Sequence, residues 1–132
     1  MNTMSEEERL KVVKSAAKLE AQGSITITLN EHTTKTEDVF ILDAPDNALG
    51  GFIGDEKGLV MVQFSSLTEP GTYDVKGNGI WIYMSFHGFV GGAETGSLTL
   101  DTIEMKNEYK GHFDTKTIDH QKIEGVFDVR KI

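Results

Sequence analysis

Short runs of alternating apolar residues, separated only by turns, fill this chain from residue 24 onward. In residues 24–29, for example, Ile25, Ile27 and Leu29 alternate with polar residues, which is typical of a strand with one buried face. No helical pattern occurs between the runs, which argues against a parallel α/β sheet. We therefore predict a mainly β fold, either an antiparallel β-sandwich or a small β-barrel of about eight strands. The predicted strands cover residues 24–29, 39–42, 59–64, 72–75, 80–86, 97–105, 109–113 and 123–129.

The first 21 residues have the pattern of a helix instead. Ser5 is a good N-cap, and Glu8, three residues later, completes a capping box. Gly23 is the type of residue that commonly ends a helix. We therefore predict one N-terminal α-helix over residues 5–21, packed against the strands. Its apolar stripe consists of Leu10, Val13, Ala17 and Ala21.

The length and charge of the chain bound its organisation and its partners. With 132 residues it is long enough to bury a core of its own, so we predict a single domain over 1–132 with its β-domain at 24–130. Thirteen Lys and Arg residues stand against 21 Asp and Glu residues, which gives a formal net charge of −8. Such a surface repels phosphate backbones and anionic lipid heads. We expect no nucleic-acid and no membrane partner, whereas a basic protein partner fits.

The chain contains no cysteine, which excludes disulfides, thiolate zinc sites and Cys nucleophiles. No apolar run reaches the length of a transmembrane helix. The acidic start differs from a signal peptide, which begins basic and continues apolar. We therefore expect a cytoplasmic location for the chain as given, and a secreted or periplasmic one if an export signal has been trimmed from it.

The most apolar predicted strand is Ile80–Phe86, in which both faces are apolar or aromatic. We predict that this strand is central and covered on both sides. Trp81, Tyr83 and His87 share one face, and a glycine-rich loop at Phe89–Gly92 follows. These residues suggest an aromatic pocket with a flexible rim, whose ligand-binding residues are Trp81, Tyr83, His87 and Phe89. The alternative is that the same face is simply covered by the N-terminal helix.

Three segments repeat the pattern Gly-x-aromatic-Asp-x, at residues 71–75, 111–115 and 125–129. In a strand, the glycine and the aromatic residue point to the same face. The glycine leaves room for an aromatic ring from the neighbouring strand and permits sharp coiling. We therefore predict curved strands filled by aromatic rings. The alternative is a cation site formed by the three aspartates Asp74, Asp114 and Asp128.

Residues 71–129 resemble the C-terminal half of small bacterial all-β domains of uncharacterised function, which are often secreted proteins or lipoproteins. The resemblance rests on a Gly-Thr-Tyr turn, an aromatic strand and two hydrophobic-x-Gly-x-Phe strands. It implies a sandwich-like or lipocalin-like fold and carries no catalytic residues. The matching segments here are Gly71-Thr72-Tyr73, Trp81 to Phe86, Gly96-Ser97-Leu98-Thr99-Leu100, Tyr109-Lys110-Gly111-His112-Phe113 and Ile123-Glu124-Gly125-Val126-Phe127.

Chemical motifs are scarce. The hydrolase elbow, the phosphate-binding loop and the zinc-protease motif are all absent. The acidic stretch at 43–58 lacks the spacing of a helix–loop–helix calcium site, and a weak cation site there is the alternative to a solvated loop. A small hydrolase remains open, with His87 or His112 as base and an acid from residues 43–56. We assign no catalytic residue, metal ligand or cofactor.

Taken together, these features favour a non-enzymatic binding module for a small apolar or aromatic ligand. The first alternative is an acidic protein–protein interaction domain, such as an inhibitor or an assembly subunit, which also leaves a homo-oligomer open. The second alternative is the small hydrolase.

Overall fold

All elements of the described structure are β-strands joined into one antiparallel sheet. A computed structural model describes Glu8 and residues 17–43, 47–53, 58–64, 69–86 and 89–132. The mainly β, antiparallel prediction is confirmed, although these ranges hold eleven strands and not eight. The strands are β1 (Ala17–Leu29), β2 (His32–Thr36), β3 (Val39–Asp43), β4 (Asn47–Ile53), β5 (Gly58–Phe64), β6 (Gly71–Asp74), β7 (Ile80–Phe86), β8 (Phe89–Gly92), β9 (Thr95–Glu104), β10 (Glu108–Lys116) and β11 (Lys122–Lys131).

The sheet curls into a partly open barrel in the order β6-β9-β10-β11-β1-β3-β4-β5-β7-β8, and β2 also pairs with β1. The strands at the two ends of this order are β6 and β8, and the chain crosses from β8 to β9 at Ala93 and Glu94. The Ala93 N–H donates to the Ile82 carbonyl of β7, at 3.0 Å between N and O. The next N–H, of Glu94, donates to the Lys116 carbonyl of β10 at 2.8 Å. The chain therefore passes from the ladder of β7 to the ladder of β10 within two residues.

The predicted helix over 5–21 is wrong at its C-terminal end. Residues 17–21 begin β1, in which Ala17 to Glu20 pair with β3 and Ala21 onward pairs with β11. Backbone partners on β3 and then on β11 outweigh the helical preference of this alanine-containing stripe, because tertiary context readily overrides intrinsic propensity. Gly23 ends no helix: it lies inside β1 with φ of 122°, and its backbone packs against that of Asp128. The remainder of the predicted helix, Glu8 apart, lies outside the described residues.

Three strands are absent from the sequence-based prediction. β2 is polar throughout, β4 contains the Gly50-Gly51 pair, and β8 is half glycine. Each lacks the apolar alternation that marks a strand. The expectation that Phe89–Gly92 forms a loop is therefore wrong, because the segment pairs with Tyr83 to Phe86 of β7. β8 is a strand because it pairs with β7, the most apolar strand of the chain, and not because of its own residue pattern.

The main core fills the inside of the curled sheet. Side chains from strands all around the curl meet there, and Tyr109, Phe113 and Phe127 are at most 1% exposed. The alternation predicted for residues 24–29 is confirmed, since Ile25 and Ile27 are fully buried. The inside is packed with protein side chains, as in other small barrels.

Tyr109 closes one end of this core with a hydrogen-bonded network. Its hydroxyl donates to the Asn47 Oδ1 atom of β4 at 2.8 Å and accepts from the Lys106 backbone N–H at 2.9 Å. Burial raises the pKa of the Tyr109 hydroxyl, and the Lys106 hydrogen bond opposes this in part. Asn47 belongs to the acidic stretch at 43–58, and its side chain accepts this buried hydrogen bond from Tyr109.

A second apolar cluster lies on the outer face of β3, β4, β5 and β7. Met61 is fully buried there, and Tyr83 is 4% exposed. The prediction that Ile80–Phe86 is covered on both faces is therefore confirmed. The prediction that this strand is central is wrong, because β7 is second from the end of the strand order, beside β8. The outer face of β9, β10 and β11 is instead polar and exposed at alternate positions. The second cluster consists of Phe40, Leu42, Ala48, Met61 and Tyr83, with Phe52, Leu59 and Trp81 packed against it.

Cross-strand rings and glycines curve β10 and β11, as the repeated pattern predicts. Gly111 lies opposite Phe127, and Phe113 lies opposite Gly125. A Cβ on Gly125 would collide with the Phe113 ring, and one on Gly111 would lie 3.0 Å from Cζ of Phe127. Each ring thus occupies the space of the missing side chain. The β9–β10 register also shifts beside Gly111, which is the effect of a β-bulge.

The three repeated aspartates do not form a metal site. No group of three or more potential metal ligands occurs among the described residues. Asp74 lies opposite Ser97, Asp114 lies opposite Glu124, and Asp128 lies opposite Lys110. Among the residues that the structure describes, no helix is long and apolar enough to cross a membrane.

Candidate functional site

The candidate site is a groove on the outside of the curled sheet, where the ladders of β7–β8 and β9–β10 diverge. We call it the β8 groove. Its volume is about 460 Å³, which is within the usual range for sites that hold small ligands. One wall is β8 with the two residues after it, and the other is the turn between β10 and β11. It is lined by Trp81, Phe89, Val90, Gly91, Gly92, Ala93, Glu94, Thr117, Ile118 and Asp119.

Trp81 and Tyr83 form a stacked aromatic pair beside the groove. Both point outward from β7, and their ring centroids lie 5.3 Å apart with an angle of 19° between the planes. Only Trp81 lines the groove, because Tyr83 is buried in the second cluster. Tyr83 therefore supports the position of the Trp81 ring from behind.

Phe89 reaches the groove from the opposite face of the sheet. It is paired with Phe86 and packs against the main core, whereas Trp81 packs against the second cluster. The Phe89 ring lies over Gly91, where an added Cβ would be 3.1 Å from Cζ. The two aromatic residues thus flank β8 on its two faces, and the groove follows the edge of the strand between them.

Two exposed aliphatic side chains form the rim. Val90 on β8 is 66% exposed, and Ile118 on the β10–β11 turn is 76% exposed. A single exposed aliphatic residue needs no explanation, but two beside one aromatic-lined groove make an apolar surface. An apolar group bound here would cover both residues.

The turn that presents Ile118 is ordered by the buried side chain of Thr117. The Thr117 Oγ1 atom accepts hydrogen bonds from the backbone N–H groups of Asp119 at 3.2 Å and Gln121 at 3.1 Å. The Thr117 N–H donates to the Gln121 carbonyl, and His120 N–H donates to the Thr117 carbonyl, both at 3.0 Å. Ile118 is therefore held on a fixed backbone.

Asn30 ties this turn to the β1–β2 hairpin. Its Nδ2 atom donates to Gln121 Oε1 at 3.1 Å, and its Oδ1 atom accepts from the Lys122 N–H at 2.9 Å. Its own N–H donates to the Lys122 carbonyl at 3.0 Å. Asn30 adopts φ of 49°, and Glu31 adopts φ of 92°, as a tight two-residue hairpin turn requires.

The charged residues that line the β8 groove are both acidic. Glu94 and Asp119 are exposed carboxylates on opposite walls. Together with the net charge of −8, they make the groove favourable for cationic groups and unfavourable for anions, with little effect on neutral groups.

Two of the four predicted ligand-binding residues, Trp81 and Phe89, line the groove. Tyr83 packs behind Trp81, and His87 lies outside the described residues. The contribution of Thr117, Ile118 and Asp119 was not anticipated from the sequence. These residues are far from β8 along the chain, and only the pairing of β9 with β10 brings them to the groove.

The predicted hydrolase residues that the structure describes do not come together. His112 lies on the outer face of β10, while Asp43 ends β3 and forms an ion pair with Lys106 at 2.9 Å between Nζ and Oδ1. Two strands, β11 and β1, separate β10 from β3 in the sheet. Asp46, Asp55 and Glu56 lie outside the described residues.

A second groove of about 450 Å³ lies near the β1–β2 hairpin, and neither Trp81 nor Phe89 lines it. Its described lining is partly polar and includes His32 and Phe86. It is lined by Leu29, His32, Thr33, Thr34 and Phe86.

Comparison with known proteins identifies no relative: no protein-family model, no curated protein and no solved structure matches this chain.

Proposed function

We propose that this protein is a non-enzymatic binding module that holds a small apolar or aromatic group in the β8 groove. One observation carries the proposal: Trp81 and Phe89 line the same groove and exposed Val90 and Ile118 border it. A bound apolar group would remove all four side chains from water, which is favourable in proportion to the apolar area covered.

The acidic lining restricts the ligand further. Glu94 and Asp119 favour a neutral or cationic group, because an anion would be repelled by both carboxylates and by the net charge of the chain. We therefore expect neutral aromatic compounds and aromatic amines to bind better than aromatic carboxylates of the same size.

The experiment is a fluorescence titration with neutral N-phenyl-1-naphthylamine and with 2-naphthoate as the anionic comparison. Trp81 is the one tryptophan of the chain, so its emission reports directly on this groove. We expect the neutral probe to quench or shift the Trp81 emission in a saturable manner, and the anionic probe to bind more weakly. Emission that neither probe changes would contradict the proposal.

A pair of variants locates the binding. Ile118→Ser removes an apolar side chain at the rim, and we expect it to weaken probe binding roughly five-fold. Val126→Ser is the matched control, because Val126 is also exposed but lies on the outer face of β11 and does not line the groove. Equal effects of the two substitutions would show that the probe binds exposed apolar residues without using the groove.

A further inference from the structure

We infer that the natural occupant of the β8 groove is an extended peptide that adds a strand to the outer edge of β8. The inference rests on the proposed function, since the same groove and the same apolar side chains are used. It names the class of ligand as a peptide segment that carries an apolar or aromatic side chain close to a basic one.

The edge of β8 is open to hydrogen bonding. β8 is the last strand of the order and pairs with β7 alone among the described strands. The Ala93 N–H points to β7, and the N–H of Glu94 points the other way, to Lys116. Because backbone groups alternate in direction along a strand, the N–H and C=O groups of Val90 and Gly92 also point away from β7. They face the groove.

The groove is the place that β10 would occupy if it continued. β10 pairs with β9 from Thr95 to Glu104. The last backbone hydrogen bond at this end joins the Glu94 N–H to the Lys116 carbonyl. The backbone then leaves at the turn that contains Thr117. A peptide strand that pairs with Val90 and Gly92 would extend the same ladder, which is the known mode of recognition by strand addition.

Side chains suited to such a peptide flank the edge on both faces. Alternate side chains of a strand point to opposite faces, and the groove offers Trp81 on one face and Phe89 on the other. The outward N–H and C=O groups of Val90 and Gly92 cannot form hydrogen bonds with an aromatic ring. They can form them with the amide groups of a peptide. Glu94 and Asp119 supply the complement for a basic side chain.

The test begins with a library of capped heptapeptides in which apolar and polar positions alternate and a lysine lies at either end. We expect the selected peptides to bind the full chain and to shift the Trp81 emission. For each selected peptide, a twin is made with N-methyl groups on alternate amides, which removes backbone donors and keeps the side chains. We expect the twin to bind at least about ten-fold more weakly.

A variant of the protein tests the same edge. Val90→Pro removes the N–H that faces the groove, and proline is tolerated at edge positions whose N–H is not used in the sheet. We expect it to weaken peptide binding about ten-fold relative to Val90→Ala, whereas the two variants should bind N-phenyl-1-naphthylamine about equally, because both lose the valine side chain from the rim. Val90→Ala keeps the N–H and serves as the control, and a thermal melt of each variant verifies folding. The N-methylated peptides leave the protein unchanged, so the test stands even if Val90→Pro fails to fold.

The outcomes separate the two proposals. A library without binders, in the presence of normal binding of the neutral aromatic probe, would overturn the peptide inference and leave the proposed function standing. Peptides that bind equally with and without N-methylation would also overturn it. A dimer in sedimentation that Val90→Pro dissociates would replace the peptide with a second copy of this chain as the strand that pairs with β8.

Discussion

The ring of Phe113 on β10 fills the space beside Gly125 on β11, directly opposite it in the sheet. The same relationship is repeated two residues away with the roles reversed, where Gly111 lies opposite Phe127. The two pairs allow two large rings to lie side by side in the core of a strongly curved sheet. The first predictions concern this pairing.

Gly125→Ala should destabilise the protein. The added Cβ would collide with the Phe113 ring, and the ring is 1% exposed with core residues around it. Overpacking of this kind costs about 1–3 kcal/mol. Urea denaturation followed by circular dichroism measures the loss. Val126→Thr, on the same strand but facing solvent, is the control and should change the free energy of unfolding by less than about 0.5 kcal/mol. An alanine variant as stable as the parent would show that the close approach does not exist.

Tyr109→Phe should destabilise the protein by about 1–3 kcal/mol, because it removes the hydroxyl that donates to the buried Asn47 Oδ1 atom and accepts from the Lys106 N–H. The matched control is Tyr73→Phe, in which the lost bond is an exposed one to the Glu69 carbonyl. We expect a smaller loss for the control, since water can replace the hydroxyl there. Equal losses in chemical denaturation would count against a special role for the Tyr109–Asn47 bond.

Stability should decrease in alkaline solution because of Tyr109. Burial raises the pKa of this hydroxyl above its ordinary value of 10.0, so the folded state holds the proton more tightly than the unfolded state. Below pH 10.0 both states are protonated and the stabilisation is fully present. As the pH rises further, the unfolded state ionises first, and the free energy of unfolding falls until the folded pKa is passed. Tyr109→Phe should lack this part of the decrease when urea midpoints are compared across the alkaline range, and identical pH profiles for the two proteins would refute the assignment.

The Asn30 side chain holds the β10–β11 turn, which forms one wall of the β8 groove. Asn30→Ala removes two side-chain hydrogen bonds to the β10–β11 turn and replaces a residue type that tolerates the φ of 49° with one that rarely adopts it. We expect a loss of about 1–3 kcal/mol in thermal or chemical unfolding. Asn30→Gly removes the same hydrogen bonds but accepts the positive φ, so it should lose less. If glycine costs as much as alanine, the hydrogen bonds alone account for the effect.

Alternation in the sequence predicts those strands whose two faces differ or are both apolar. The sequence predicts the strands at 80–86, 109–113 and 123–129 because their apolar residues recur at every second position, as the buried face of a strand requires. The repeated glycine and aromatic pattern even predicts the cross-strand rings, since a glycine that shares a face with a ring is informative about its neighbour.

Strands that form only because a neighbouring strand pairs with them are not predicted from the sequence. β8 is a strand because β7 lies beside it, and Ala17 to Ala21 extend β1 because β3 and β11 supply hydrogen-bond partners. The groove follows the same rule. Trp81 and Phe89 are predictable from their aromatic character in and beside the most apolar strand, but Ile118 reaches them only through the β9–β10 register.

The measurement that tests the central claim most directly is a map of backbone amide chemical shifts in ¹⁵N-labelled protein during titration with neutral N-phenyl-1-naphthylamine. The account predicts the largest shifts at Val90 to Glu94 and at Ile118 and Asp119, together with the indole N–H of Trp81, all saturating at one common affinity. Shifts confined to the groove near His32 and Phe86, or no saturable shifts at all, would contradict the proposal that the β8 groove is the binding site.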